Sequence, residues 1–266
     1  MTVLKSHALI VQAGLVPPVM VPGHTFRILA DSSATDGRFS ITEAVSPAGA
    51  FVGRHVHDDA VECFYVLEGQ YDFNVSGNKQ LVGPGSFALI PRGAPHEWQV
   101  AGSAKARTIV MFMPAGFESL FRLMPRIFAL PGEPGGPVWA EENLKVGTRV
   151  LNPELPMPGG PAPLILPRPA PDRSDQSCVR TLAGAEQTTV DLRISHRSDP
   201  LALDTADSDE TIIGAWIIKG HYRVELPHER VTLSARDYVQ LPAGMPARLY
   251  PTTPGSSALI LSKERS

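Results

Sequence analysis

The segment Ala48 to Gly69, AGAFVGRHVHDDAVECFYVLEG, holds the pattern on which the fold of this chain turns. It reads Gly49-x5-His55-x-His57-x4-Glu62-x6-Gly69. In an extended strand, residues two apart project from the same face, so His55 and His57 point together. Glu62 stands an odd number of positions after His57 and would face the other way on one unbroken strand. The chain is therefore expected to turn in between, at Asp58-Asp59, and to bring Glu62 back to the same interior on the next strand. A second segment, GSFALIPRGAPHEW from Gly85 to Trp98, reads Gly85-x5-Pro91-x-Gly93-x2-His96. Its Pro91 and Gly93 make a tight corner that returns His96 inward from a neighbouring strand. Three imidazoles and one carboxylate meeting in this way match what first-row divalent ions prefer. Any one of these histidines alone is better read as an ordinary buried or surface residue. Ligand-type residues at several jointly agreeing offsets reverse that judgement.

Around these segments, short runs rich in Val, Ile and Phe recur: Phe39 to Val45, Gly49 to His57, Glu62 to Leu67, Tyr71 to Val75, Phe87 to Ile90, His96 to Val100 and Thr108 to Phe112. Each is bounded by Gly, Pro, Asp or Asn, the mark of hairpins in a sandwich or barrel. The chain has 23 glycines and 26 prolines in 266 residues, spread between short runs and not between helical patterns. An all-β fold follows. One helix is expected after the last of these strands, where Phe117, Leu120, Phe121 and Met124 fall at helical spacing. Pro125 should stop it, and its apolar stripe should lie on the outside of the barrel.

The second half repeats the first at a constant shift of 151 residues, which puts Gly69 on Gly220, Tyr71 on Tyr222, Phe87 on Tyr238, Pro91 on Pro242, Gly93 on Gly244 and Pro95 on Pro246. The ligand positions do not survive that shift: His55 falls on Ala206, His57 on Ser208, Glu62 on Ile213 and His96 on Ala247. The expected organisation is a metal-binding barrel at 1–130, an interdomain connection at 131–171 and a second barrel without ligands at 172–266. The connection is assigned on its 11 prolines and 6 glycines in 41 residues, with room for a short turn around Trp139 to Val150 and with Leu164-Ile165-Leu166 lying along a barrel surface. His196, His221 and His228 in the second half read as solvated side chains.

The two segments resemble the paired motifs of the cupin superfamily. Every signature position is matched save the last, where the frequent Asn is Val100. The resemblance implies two tandem cupin (jelly-roll-like) β-barrels with a few short helices, and one divalent transition metal (iron, nickel, manganese, copper, cobalt or zinc) held by His55, His57, Glu62 and His96. Strand alternation puts Phe51, Phe64, Val66, Trp98 and Val100 on the ligand-bearing face. Phe64 and Val66 read equally well as plain core, and Trp98 is the foremost substrate contact. Cys63 should face the other way as a core residue.

Among two-barrel cupins the arrangement is similar to quercetin 2,3-dioxygenase-like proteins. That similarity implies a dioxygenase acting on a flavonol-like or polyketide-like aromatic substrate with dioxygen, Glu62 serving as ligand and general base. A non-oxidative cyclase, isomerase or lyase on the same ion is the second reading, and a non-catalytic small-molecule-binding cupin the third. A formal charge of -3 and the absence of a basic cluster argue against nucleic acid as a partner. Two distant cysteines, Cys63 and Cys178, suit a reducing compartment. With no apolar run long enough to span a bilayer and no leader pattern in the first residues, the expectation is a cytoplasmic protein, as a monomer of two barrels or a homodimer.

Overall fold

The structure is a computed structural model, and it describes residues 8–132, 135–168, 178–184, 187–188, 190–197, 203–204, 210–242 and 245–264. The chain forms two compact units, one of residues 17–170 and one combining 1–16 with 171–266. Both are built from antiparallel β-sheets, and among the described residues only three short α-helices occur, Ser32–Thr35, Glu118–Ile127 and Pro137–Lys145. None of them is long and apolar enough to cross a membrane.

The 17–170 unit holds a five-stranded and a seven-stranded sheet. The five-stranded sheet runs in the order Thr148–Val150, Phe51–His57, His96–Ala101, Gln70–Val75, Asn78–Val82. The seven-stranded one runs Leu164–Leu166, Phe87–Ile90, Val61–Glu68, Ala106–Met113, Ser40–Ser46, His24–Ala30, Val19–Val21. Alternating side chains from both sheets, among them Phe64, Val66 and Val110 from one and Tyr71, Phe73, Trp98 and Val100 from the other, meet in one buried apolar cluster. Cys63 is a free buried thiol. It faces away from Glu62, and burial raises its pKa, so it is core and not a nucleophile.

The other unit repeats this plan. Its six-stranded sheet includes Leu9–Val11 beside Tyr238–Gln240, and its four-stranded sheet centres on His221–Glu225. Equivalent positions carry equivalent duties: Tyr71 and Tyr222 are both buried, as are Phe87 and Tyr238. Gly69 and Gly220 both adopt positive φ, 71° and 78°. At Gly69 a Cβ would lie 2.7 Å from both Ala106 Cα and Lys105 O. The hairpin corner thus needs glycine for its backbone angle and for its clearance.

Three expectations are corrected. Residues 131–171 are not a bare connection, for Thr148–Val150 pairs with His55 to His57 and Leu164–Leu166 pairs with Phe87 to Leu89, both at sheet edges. Prolines exclude regular structure only locally, and Pro137 begins a helix at the position where its fixed φ is favourable. The first strand, Leu9–Val11, belongs to the second unit, so the boundary does not fall at 130. The helix Glu118–Ile127 contains Pro125 and continues for two residues beyond it. Its Leu120, Phe121, Met124 and Ile127 join the interior cluster and do not cover the outside of the barrel, Phe121 stacking on Phe26 at 4.2 Å. Burying each such side chain contributes about 1.5–3 kcal/mol, enough to outweigh the one backbone hydrogen bond that Pro125 removes.

Replacing Gly69 by Ala should destabilise the protein by about 2 kcal/mol or more, from left-handed strain plus overlap with the Ala106 backbone. A lowered urea midpoint at unchanged m-value would register this; an unaltered midpoint would contradict the account of the corner.

Candidate metal centre

His55, His57, Glu62 and His96 converge as the sequence expects, all four buried, with their candidate ligand atoms within 4.8 Å of one another. Strand pairing brings them together. His96 stands opposite His55 in the five-stranded sheet. Asp58 and Asp59 form the bend that lets Glu62 re-enter from the seven-stranded sheet, and Gly93 N–H donates to His57 O at 2.8 Å, which seats the Pro91–Gly93 corner beside the first motif.

Each imidazole is tied through its outer nitrogen. His55 Nδ1 lies 2.8 Å from Gly53 O, and His96 Nδ1 lies 2.9 Å from Ala94 O. His57 Nδ1 lies 2.8 Å from Thr148 Oγ1. A carbonyl only accepts, so Nδ1 of His55 and His96 carries the proton, and in the neutral ring Nε2 is left with a bare lone pair. His96 Nε2 nevertheless lies 3.0 Å, and His57 Nε2 3.3 Å, from Glu62 Oε2, another acceptor. Thr148 Oγ1 can donate or accept, so His57 Nε2 can carry a proton toward Glu62, whereas the lone pair of His96 Nε2 against Glu62 is relieved by a positive charge between them.

Protonation of His55 or His57 is a poor source of that charge. Burial, and then the charges of His96 and His57, hold His55 well below the ordinary imidazole value, and burial lowers His57 too, against the opposing pull of Glu62. Burial also pushes the Glu62 carboxyl up, but where His57 and His96 carry a proton toward it their hydrogen bonds and charge outweigh this and hold it well below the usual carboxylate range. Three imidazole nitrogens, each ring oriented from behind, and one carboxylate fit a divalent cation.

The expected pocket residues separate. Phe64, Val66, Trp98 and Val100 lie in the buried interior cluster. Trp98 packs edge-on against Tyr71 at 5.2 Å and against Phe64 at 6.2 Å. Phe51 does not join them: it is 69% exposed. The register between the Phe51 and His96 strands shifts between His96 and Trp98, so that Trp98 stands opposite Val52 and Phe51 opposite Gln99. A bulge of this kind inserts one residue and reverses the alternation beyond it. Val52 takes the inward place.

Sequence reasoning missed Thr148, Phe112 and Phe117. Phe112 and Phe117 set their rings edge-on to His57 at 5.2 and 5.0 Å and stack on each other at 4.2 Å. The inward face of Phe112 was available from the alternation of its strand, whereas its place opposite Glu62 and the reach of Thr148 to His57 have no local mark. In the second unit, Ala206 and Ser208 lie outside the described residues, Ala247 is buried, and His221 and His228 are exposed. Among the described residues, no second cluster of this type occurs.

Comparison with known proteins agrees with this geometry. Residues 42–112 match the Cupin domain family. The chain is 31% identical over 98 residues to quercetin 2,3-dioxygenase of Bacillus subtilis, a match covering 37% of this chain and 29% of that protein, so less than a third of the relative's length is represented. Two solved structures share the fold over nearly the whole chain. A bacterial pirin in complex with nickel(II) from Escherichia coli has a TM-score of 0.64 at 14% identity, covering 96% of this chain and 98% of that one. Oxalate decarboxylase from Bacillus subtilis has a TM-score of 0.62 at 14% identity, covering 99% and 79%. The family match thus lies within the unit of residues 17–170, while the solved structures share the fold over nearly the whole chain.

Metal analysis of protein prepared without chelators should give about one equivalent of a divalent transition ion, lost in His57→Ala without collapse of the fold, because that ring is not needed to fill the core. Thr148→Val removes only the partner of His57 Nδ1, and should weaken binding about 10- to 100-fold in competition against a chelating indicator. Unchanged affinity in that variant would refute the orienting role of Thr148.

Proposed function

We propose that this chain, a bicupin of the cupin superfamily, is a metal-dependent dioxygenase acting on a flavonol-like or polyketide-like enolisable aromatic compound. The observation that carries this reading is the buried set His55, His57, Glu62 and His96, inside the matched Cupin domain, and the similarity of part of the chain to quercetin 2,3-dioxygenase supports it. The four residues would hold one divalent ion, which when bound supplies a Lewis acid for an enolate oxygen and, where redox-active, a route to dioxygen.

The residues of the chain do the rest. Glu62 Oε2 takes the proton of the reacting hydroxyl, and both His57 Nε2 and His96 Nε2 lie within 3.3 Å of it, so the proton arrives among groups already arranged around that oxygen. Gly53 O, Ala94 O and Thr148 Oγ1 keep the three rings from turning while charge develops. Phe112 and Phe117 cover His57 and exclude water from that side. Phe64, Trp98 and Val100 supply the apolar wall that a flat ring system favours.

Oxygen uptake should accompany loss of a flavonol when the protein carries iron, nickel, manganese, copper or cobalt, and should fail with zinc. At matched metal content, Glu62→Gln should lower kcat by about 100- to 10,000-fold. Turnover that proceeds equally well under strict anaerobiosis or with zinc would overturn the dioxygenase and assign a cyclase, isomerase or lyase in its place.

A further inference from the structure

Two hydroxyls in the interior of the first unit have no work in the fold. Ser40 and Thr42 are fully buried, and neither Ser40 Oγ nor Thr42 Oγ1 has a hydrogen-bond partner among the described residues. Both belong to the Ser40–Ser46 strand, where Ser40 stands opposite Phe112 and Thr42 opposite Val110. Phe112 in turn stands opposite Glu62, and Val110 opposite Phe64. Directly paired residues share a face, so Ser40 and Thr42 look into the same interior as Glu62, two strands away. At about 4.8 Å per strand, they lie about 10 Å from the carboxylate along the sheet, the length of a two- or three-ring aromatic molecule.

The ground between them is aromatic. Phe112 lies in the middle, and the ring of Phe117 stacks on it at 4.2 Å with 19° between planes while meeting His57 edge-on. Phe117 comes from the turn that precedes the Glu118–Ile127 helix. That turn hangs on Glu118, whose carboxylate accepts from Ser32 N at 2.8 Å and from Gly116 N at 2.7 Å. Phe117 is only partly buried, unlike Phe112. It already sits as a flat guest ring would sit, against Phe112 and over His57.

We propose that Ser40 and Thr42 are specificity-determining residues: a planar reactant displaces the Phe117 ring from Phe112, places its reacting oxygen at Glu62, and satisfies the two idle hydroxyls with a polar substituent at its far end. The inference rests on the reading of the site as one for a flat aromatic reactant, but needs no particular chemistry there. A buried hydroxyl without a partner is a cost to the fold, so its natural use is to distinguish a ligand that can complete it from one that cannot.

The test is equilibrium binding of the metal-loaded protein under anaerobic conditions, read by tryptophan fluorescence, with two probes. One is quercetin, which carries hydroxyls on the rings remote from its enolic oxygen, and the other is 3-hydroxyflavone, which lacks them. The parent should prefer quercetin by about 10-fold or more. Ser40→Ala with Thr42→Val should erase that preference while leaving 3-hydroxyflavone binding and the melting temperature unchanged or the latter raised, and Thr42→Ser should retain it. Phe117→Ala should speed association of both probes. Preference that persists in the double variant, a double variant that melts markedly lower, or failure of both probes to bind would overturn the proposal. Intact discrimination without oxygen uptake under air would overturn only the dioxygenase reading.

Discussion

Three imidazoles and a carboxylate facing one another away from water form an arrangement that a positive charge among them stabilises. In the first unit His55, His57 and His96 turn their outer nitrogens to fixed partners, and the inner nitrogens of His57 and His96 lie against Glu62. The surrounding structure serves this convergence. Register sets His96 opposite His55, the Asp58-Asp59 bend reverses the chain so that Glu62 comes inward, and the Thr148 edge strand closes behind His57.

The second unit repeats the packing positions of the same scaffold. Gly220 repeats the corner of Gly69, where a side chain would press on Ser256 and Thr253 as one at Gly69 would press on Ala106. Tyr222 and Tyr238 repeat the buried positions of Tyr71 and Phe87. Packing and turn geometry constrain such residues in any barrel of this plan. Ligand residues answer to an ion and not to the packing of the sheet, and Ala247 stands buried at the position that the 151-residue shift assigns to His96.

Closure of the first unit depends on segments that resemble connections. The helix from Glu118 to Ile127 lies beyond the last strand of the motif region and yet completes the interior cluster through Leu120, Phe121, Met124 and Ile127. The turn before it delivers Phe117 to Phe112 and His57. Downstream, Thr148 and Leu164–Leu166 extend the two sheets from a stretch dense in proline. Proline is tolerated there because the strands it flanks are edge strands, with one side free of ladder hydrogen bonds.

The sequence by itself determined the strands around the two motifs, the doubling of the unit and the four converging residues, because these rest on local rules: period-two alternation, turn residues at fixed offsets, and ligand types at set spacings. Phe64, Trp98 and Val100 were legible for the same reason. Only the tertiary structure decided the rest. Phe51 left the interior because one shift in register reverses every side chain beyond it, and that shift exists only between paired strands. Thr148 reaches His57 across 91 positions of chain. Leu9–Val11 joins a sheet whose other strands lie more than 150 residues away. Contacts of that range leave no period or spacing in the sequence, since what fixes them is the fit of two surfaces that meet only once the chain has folded.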